Sequence, residues 1–159
     1  MTYLPDPETH PELFEGILVR RAIAYLIDLV VLGAVTTAIL LVGLVVGVVT
    51  LGLGFLALPV ALPIAILAYY ALTLGSPMRA TLGMRAMDIV LTPARGRPLD
   101  GWAILIHPLV FWVTIWISWP FTLAVAFFTP RRQLIHDLIC GTLMVRRSPM
   151  ERRFRFAGA

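Results

Sequence analysis

The sequence contains no lysine, a single cysteine and few charges of either sign. Asp, Glu and Arg together make up 14% of 159 residues, where an ordinary soluble domain carries about 25%. With 59% of the residues hydrophobic, so few charges could not cover a water-soluble fold of this size. The composition excludes a disordered chain and argues against a cytosolic enzyme. Cys140, being alone, excludes an internal disulfide and with it a disulfide-stapled secreted scaffold. All 13 basic residues are Arg and the net charge is +4. They stand in short clusters flanking apolar runs, as membrane flanks do. A basic face with stacking aromatics, which nucleic acid would need, is missing. Also missing are a Ser-His-Asp or Cys-His arrangement, an HExxH helix and a phosphate-cradling glycine loop. The chain therefore reads as a non-enzymatic membrane protein that uses no cofactor, with the lipid bilayer as partner and no nucleic acid.

What is present is long apolar sequence. From Ala22 to Leu74 the only acid or base is Asp28. One crossing of the hydrocarbon core takes about 20 residues, so this run holds two firm transmembrane helices, over about 22–44 and 53–74. A glycine-dense turn within 43–54 joins them, and Pro59 and Pro63 kink the second. Before them, residues 1–19 form an acidic cytosolic N-terminal segment with Asp6, Glu8, Glu12, Glu15 and three prolines. An acidic start followed by so long an apolar run is not a signal peptide. Residues 75–101 are polar and hold four Arg. Within them Met84, Met87, Asp88 and Leu91 share one helical face, which predicts a short amphipathic interfacial helix, and ARGRPLDG reads as a surface turn.

Trp102 to Phe128 is a second uncharged run, broken by Pro108 and Pro120. Its length suits neither one comfortable span nor two full ones. Arg counts arbitrate: two before the first span, none in the 43–54 turn, four in the middle loop and seven after Phe128. A re-entrant hairpin puts all of them on the cytoplasmic side, whereas a third span divides them almost evenly and violates the positive-inside bias. The hairpin is preferred. Thr129 and Pro130 then read as N-cap and first residue of a helix running to Cys140 and stopping at Gly141. Thr142 to Val145 is a short extended piece, and 148–159 is a basic cytosolic tail whose cations and aromatics suit anionic headgroups. The four Trp read as interface anchors and packing residues. The fold class is thus all-α: a polytopic membrane helical bundle of two transmembrane helices, a third hydrophobic unit (hairpin or span) and short interfacial helices.

Asp28 is the most informative residue. A charge inside a span costs about 2.5–3.5 kcal/mol even on a lenient scale, so it needs a partner, a water cavity or a proton. Arg21 lies two helical turns before it and Tyr25 between them, a polar stripe facing the bundle interior. Arg21 and Asp28 are about 10 Å apart along the helix, too far for direct contact. Asp137, beside His136, starts level with Arg21, so the geometry pairs Arg21 with Asp137. Asp28 is left to Tyr25, a hydroxyl or freed carbonyl of the second span, or water below the Pro59–Pro63 kink. Alternatively the charges are purely structural, fixing helix register. His136 and Cys140 are spaced to face one metal ion with Asp137 adjacent. That reading is set aside for want of further ligands, His107 standing in a different segment.

An Arg at the start of the first helix, an Asp seven residues on and a late QxxHDxxxGTxxV stretch resemble the RDD family of small membrane proteins. The matching residues are Arg21, Asp28 and Asp137, with Gln133, His136, Gly141, Thr142 and Val145 around the last. Thr81, Gly83, Arg85 and Ile89 of the middle loop fit the family's T-x-G-x-R pattern, and Met84 stands where it commonly has Lys. The resemblance covers residues 17–147 and marks 20–147 as the transmembrane domain. It implies a bacterial inner-membrane protein with a transport-related function, in some members monovalent cation/proton exchange, and the Arg distribution puts both termini on the cytoplasmic side. The partners expected are a small cation or proton, and further copies of the chain or a larger complex, since two spans cannot enclose a pathway. The rival expectation is an accessory subunit that transports nothing itself.

Overall fold

The structure is a computed structural model describing residues 5–94 and 101–157. Helix α1 (Ile17–Val49) and helix α2 (Leu58–Leu74) form an antiparallel pair. Between them lie a tight turn and a 3-10 helix, Leu53–Ala57. The turn is shorter than the 43–54 segment expected, because Gly52 takes a left-handed conformation (φ 99°) and reverses the chain at once. Gly43 and Gly47 leave room on α1 for Leu58 and Phe55, so the connection lies flat on the helix it leaves. Pro59 sits in the first turn of α2, where its missing N–H costs nothing, and only Pro63 is interior. Both helices turn large aliphatic side chains outward, Val30, Val42, Val60 and Leu72 being 60–76% exposed. Three helical stretches, Pro11–Val49, Leu53–Leu74 and Ile104–Phe128, are long and apolar enough to cross a bilayer. This is a membrane helical bundle.

The third stretch, α4 (Gly101–Phe128), is two arms rather than one rod. Ser118 leaves helical geometry (φ −149°, ψ 45°), with Pro120 just beyond. In a straight helix residues 114 and 122 would be about 12 Å apart along the axis, yet Thr122 Oγ1 donates to the Thr114 carbonyl at 3.3 Å. Ser118 Oγ donates to the same oxygen at 3.2 Å. Hydroxyls thus replace the amide hydrogen bond lost at the break, which makes it tolerable in an apolar setting. The chain then returns to where it began: Arg131 Nη1 donates to the Ala94 carbonyl, and Ala94 N to Gly141. At about 25 Å and 15 Å, neither arm spans the roughly 30 Å hydrocarbon core. Topology reporters inserted after residue 98 and fused at the C-terminus are therefore expected on one side of the membrane. Signals from opposite sides would overturn the hairpin.

The end of the bundle holding the start of α1 departs most from the sequence-based expectation. The amphipathic helix is only Leu82–Ala86 (α3). Asp88 turns left-handed (φ 58°) and the β-branched Ile89 and Val90 enter a strand, β1 (Ile89–Pro93). Leu91 therefore belongs to a sheet and not to that helix. Its partner is β2 (Thr142–Arg146), antiparallel, with Leu91 opposite Met144. Ile89, Leu91 and Met144 face the helices, packing with Ile17, Ala24, Leu74 and Met84. Val90, Leu143 and Val145 face Leu13 and Phe14 of the N-terminal segment. That segment is held down by Glu15, whose carboxylate lies 2.8 Å from Arg146. The late helix α5 is Ile135–Cys140 and starts five residues later than Pro130. Arg132 is left-handed (φ 53°) and breaks the run, while Thr129 Oγ1 accepts from Gln133 N instead of capping a helix. Gly141 ends α5 in the left-handed conformation expected. The basic tail begins as a helix, α6 (Arg147–Ala157), its first turn bound to Asp88 through Ser148 N and Oγ. The surface turn expected at 94–101 falls largely on residues outside those described.

Candidate functional site

Asp137 is fully buried on α5, and each of its oxygens has a separate task. Oδ2 accepts from Arg21 Nη1 at 2.6 Å and from Leu134 N at 2.9 Å. The second contact satisfies an amide at the start of α5; the first ties α5 to α1. Oδ1 faces two imidazoles, His136 Nε2 at 3.5 Å and His107 Nε2 at 3.9 Å, and the Thr142 hydroxyl at 3.5 Å. The Arg21 Nη2 group lies 3.3 Å from His136 Nε2. Thr142 Oγ1 is 3.1 Å from His107 Nδ1, and Gln133 Nε2 holds the Thr142 carbonyl at 2.8 Å. Arg21, His107, His136 and Asp137 are thus gathered from α1, α4 and α5 with exposures of 9, 4, 0 and 0%. Edge-on rings of Phe111 and His107 against His136 complete the enclosure.

Charge in this enclosure is fixed by Arg21. Burial by itself would push the Asp137 carboxyl up, but the Arg21 guanidinium, helped by the two imidazoles, outweighs it and holds the group below the ordinary carboxylate range. His136 is pushed down to about 3, by burial first and Arg21 besides, although Asp137 pulls the other way. The centre at neutral pH is therefore one ion pair flanked by neutral histidine at position 136.

Asp28 belongs to a second cluster. Its Oδ1 accepts from Tyr69 Oη of α2 at 2.5 Å and from Gly83 N at 2.8 Å, and its Oδ2 from Thr81 Oγ1 at 2.6 Å. Thr81 is the N-cap of α3 and also accepts from Met84 N. The carboxylate thus pins the start of α3 against the middle of α1 and α2. Of the partners expected for Asp28, the hydroxyl of the second span is present. Tyr25 is not: its ring packs on Phe111 and Trp112. The Pro59–Pro63 region lies toward the other end of α2. Arg85 plays no part in either cluster; it bonds the Ala80 carbonyl and Ser76 Oγ, closing the α2–α3 loop.

A family model for the RDD family matches residues 16–141, which hold Arg21, Asp28 and Asp137. The chain belongs to the RDD family. Neither a curated protein nor a solved structure gives a significant match. The three residues of the RDD pattern do not converge on one point here. Arg21 and Asp137 meet, while Asp28 caps α3 about two helical turns away along α1.

The structure corrects the sequence reading at His107. This residue is not in a remote segment, because the returning arms of α4 bring it against α5. Cys140 is not among the ligand atoms that converge; the convergent set is His107, His136 and Asp137. A lone His in an otherwise uncharged apolar run was the available signal, but pairing it required the hairpin.

Proposed function

We propose that this RDD protein moves a small ion or solute across the bacterial inner membrane, coupled to protons, with Arg21, Asp137, His136 and His107 as its polar centre. The observation that carries this reading is four ionisable side chains enclosed together at the base of an apolar bundle. Such groups are costly beside lipid and mark ion and proton pathways. Monovalent cation/proton exchange is the sharpest version. The positive-inside bias makes the Arg-rich end cytoplasmic, with both termini there. Two spans and a hairpin do not enclose a pathway, so the working unit is a homo-oligomer or a larger complex. The test is proton flux in proteoliposomes of the pure protein, driven by a cation gradient. Wild type should show it and Asp137→Asn should abolish it. No flux from folded, reconstituted wild type would refute the reading.

One observation favours the rival, an accessory subunit without transport activity. Asp28 has three short hydrogen bonds, to Tyr69, Thr81 and Gly83, which is how a structural carboxylate is held. On that reading Asp28→Asn and Asp137→Asn lower abundance or assembly and leave flux untouched. Purification in mild detergent would then return a stoichiometric foreign membrane protein.

A further inference from the structure

We infer that His107, His136 and Asp137 form a binding site for a divalent first-row transition metal ion of the zinc type, held exchangeably because Arg21 competes for the same ligands. One ligand atom from each residue lies within 4.8 Å of the other two, and all three residues are buried. The distances from Asp137 Oδ1 to the two Nε2 atoms, 3.5 and 3.9 Å, are too long for good hydrogen bonds. They approach the roughly 3.3–3.5 Å that separates ligands sharing one tetrahedral zinc at bond lengths of about 2.0–2.2 Å. Closing the triad on an ion therefore takes shifts below an ångström along these two edges.

The surroundings supply orientation as well as ligands. His107 Nδ1 lies 3.1 Å from Thr142 Oγ1; in the tautomer whose Nδ1–H donates to that hydroxyl, the Nε2 lone pair is free for the triad, a common outer-shell device in metal sites. Thr142 is fixed in turn through its carbonyl by Gln133. His136 is under-used by the protein: Nδ1 is buried without a hydrogen-bond partner among the described residues, and Nε2 has the 3.3 Å contact with Arg21 and the long 3.5 Å approach to Asp137 Oδ1. Two imidazoles and a carboxylate suit zinc, nickel or copper better than the alkali or alkaline-earth ions, which prefer all-oxygen sets.

Arg21 decides the character of the site. Its Nη1 occupies Oδ2, the oxygen turned away from the imidazoles, so a metal ion on Oδ1 and Arg21 on Oδ2 can share Asp137. Its Nη2, however, faces the His136 lone pair that the metal ion needs. Binding must displace that contact and bring positive charge close to the guanidinium. Arg21 is also the least buried of the four. The site is thus built for a weakly held, exchangeable ion, not for a permanent structural one.

This inference shares its residues with the transport reading but does not depend on transport occurring. The test is a Co2+ titration of tag-free protein in detergent, first stripped with a chelator, read by visible ligand-field bands and elemental analysis. One Co2+ per chain, displaced by Zn2+, is expected. His107→Phe, which fills the ring's space, should weaken binding at least tenfold, and Cys140→Ala should leave it unchanged. If His107→Phe does not fold, Thr142→Val keeps all three ligands and should weaken binding about 10–100-fold. Absence of bands in folded wild type, or equal affinity in a folded His107→Phe or Thr142→Val variant, overturns the site. Co2+ binding without flux would refute transport alone, and flux from chelator-treated protein without Co2+ bands would refute the metal site alone.

Discussion

Arg21→Ala is expected to be among the most destabilising single changes in this protein. It leaves the fully buried Asp137 carboxyl without its counter-ion, with Leu134 N as its one remaining short hydrogen bond. Removing one partner of a buried ion pair costs about 3–5 kcal/mol, because the other charge loses its compensation. Asp137→Ala strands Arg21 in the same way, less severely because the guanidinium is nearer solvent. The double variant removes both charges together and should cost less than the sum of the singles. A coupling of about 0.5–3 kcal/mol is the range for residues in contact. Lys at position 21 should rescue only in part, since an ammonium cannot hold Asp137 and face His136 with two nitrogens of one plane. Thermal unfolding of detergent-purified variants, followed by loss of the monodisperse chromatographic peak, measures all four. Strict additivity of the two alanine variants would mean that the pair contributes nothing as a pair.

The parts of this molecule legible in the sequence are those that follow from local chemistry. Apolar run lengths located both long helices, and the Arg distribution favoured the hairpin that Ser118 and Thr122 create. Residue spacing on one helix separated Arg21 from Asp28 by two turns, which sends them to different partners. Thr142 to Val145 was legible as an extended piece and is β2, but its pairing into a sheet was not, for a physical reason. Ile89 to Pro93 is five residues long and lies about fifty positions from its partner, so it carries too little alternation to stand out as a strand. Met84, Met87 and Leu91 matched a helical face by spacing, but the left-handed turn at Asp88 resets the chain between them. The α5 start was misplaced because Thr129-Pro130 is a sound local signal that Arg132 overrides two residues on. His107 shows the largest gap. Its partners are 29 and 30 residues away in sequence, and only the return of α4 brings them within reach.

Gly83→Ala should rival the Arg21 change, for steric reasons. A β-carbon at Gly83 would sit 2.0 Å from the Ala24 carbonyl oxygen and 2.9 Å from Asp28 Cγ. The first obstacle is main chain of α1, held by helical hydrogen bonds, so it cannot swing aside as a side chain could. Helix α3 must lift off α1 instead. Overpacking alone costs about 1–3 kcal/mol. Lifting α3 also removes Gly83 N and Thr81 Oγ1 from Asp28, and each hydrogen bond to a charged group is worth about 1.5–3 kcal/mol. The carboxylate would keep Tyr69 alone, inside an apolar helix pair. Gly33→Ala in the same α1 helix is the matched control: a β-carbon there meets nothing within 4 Å, and alanine in a helix is favoured over glycine by roughly 0.5–1 kcal/mol. Melting temperatures of the two variants should therefore move in opposite directions, Gly83→Ala sharply down and Gly33→Ala level or slightly up. A Gly83→Ala protein that melts with wild type would mean that α3 does not rest on α1 through Asp28, and that the carboxylate is free for other work.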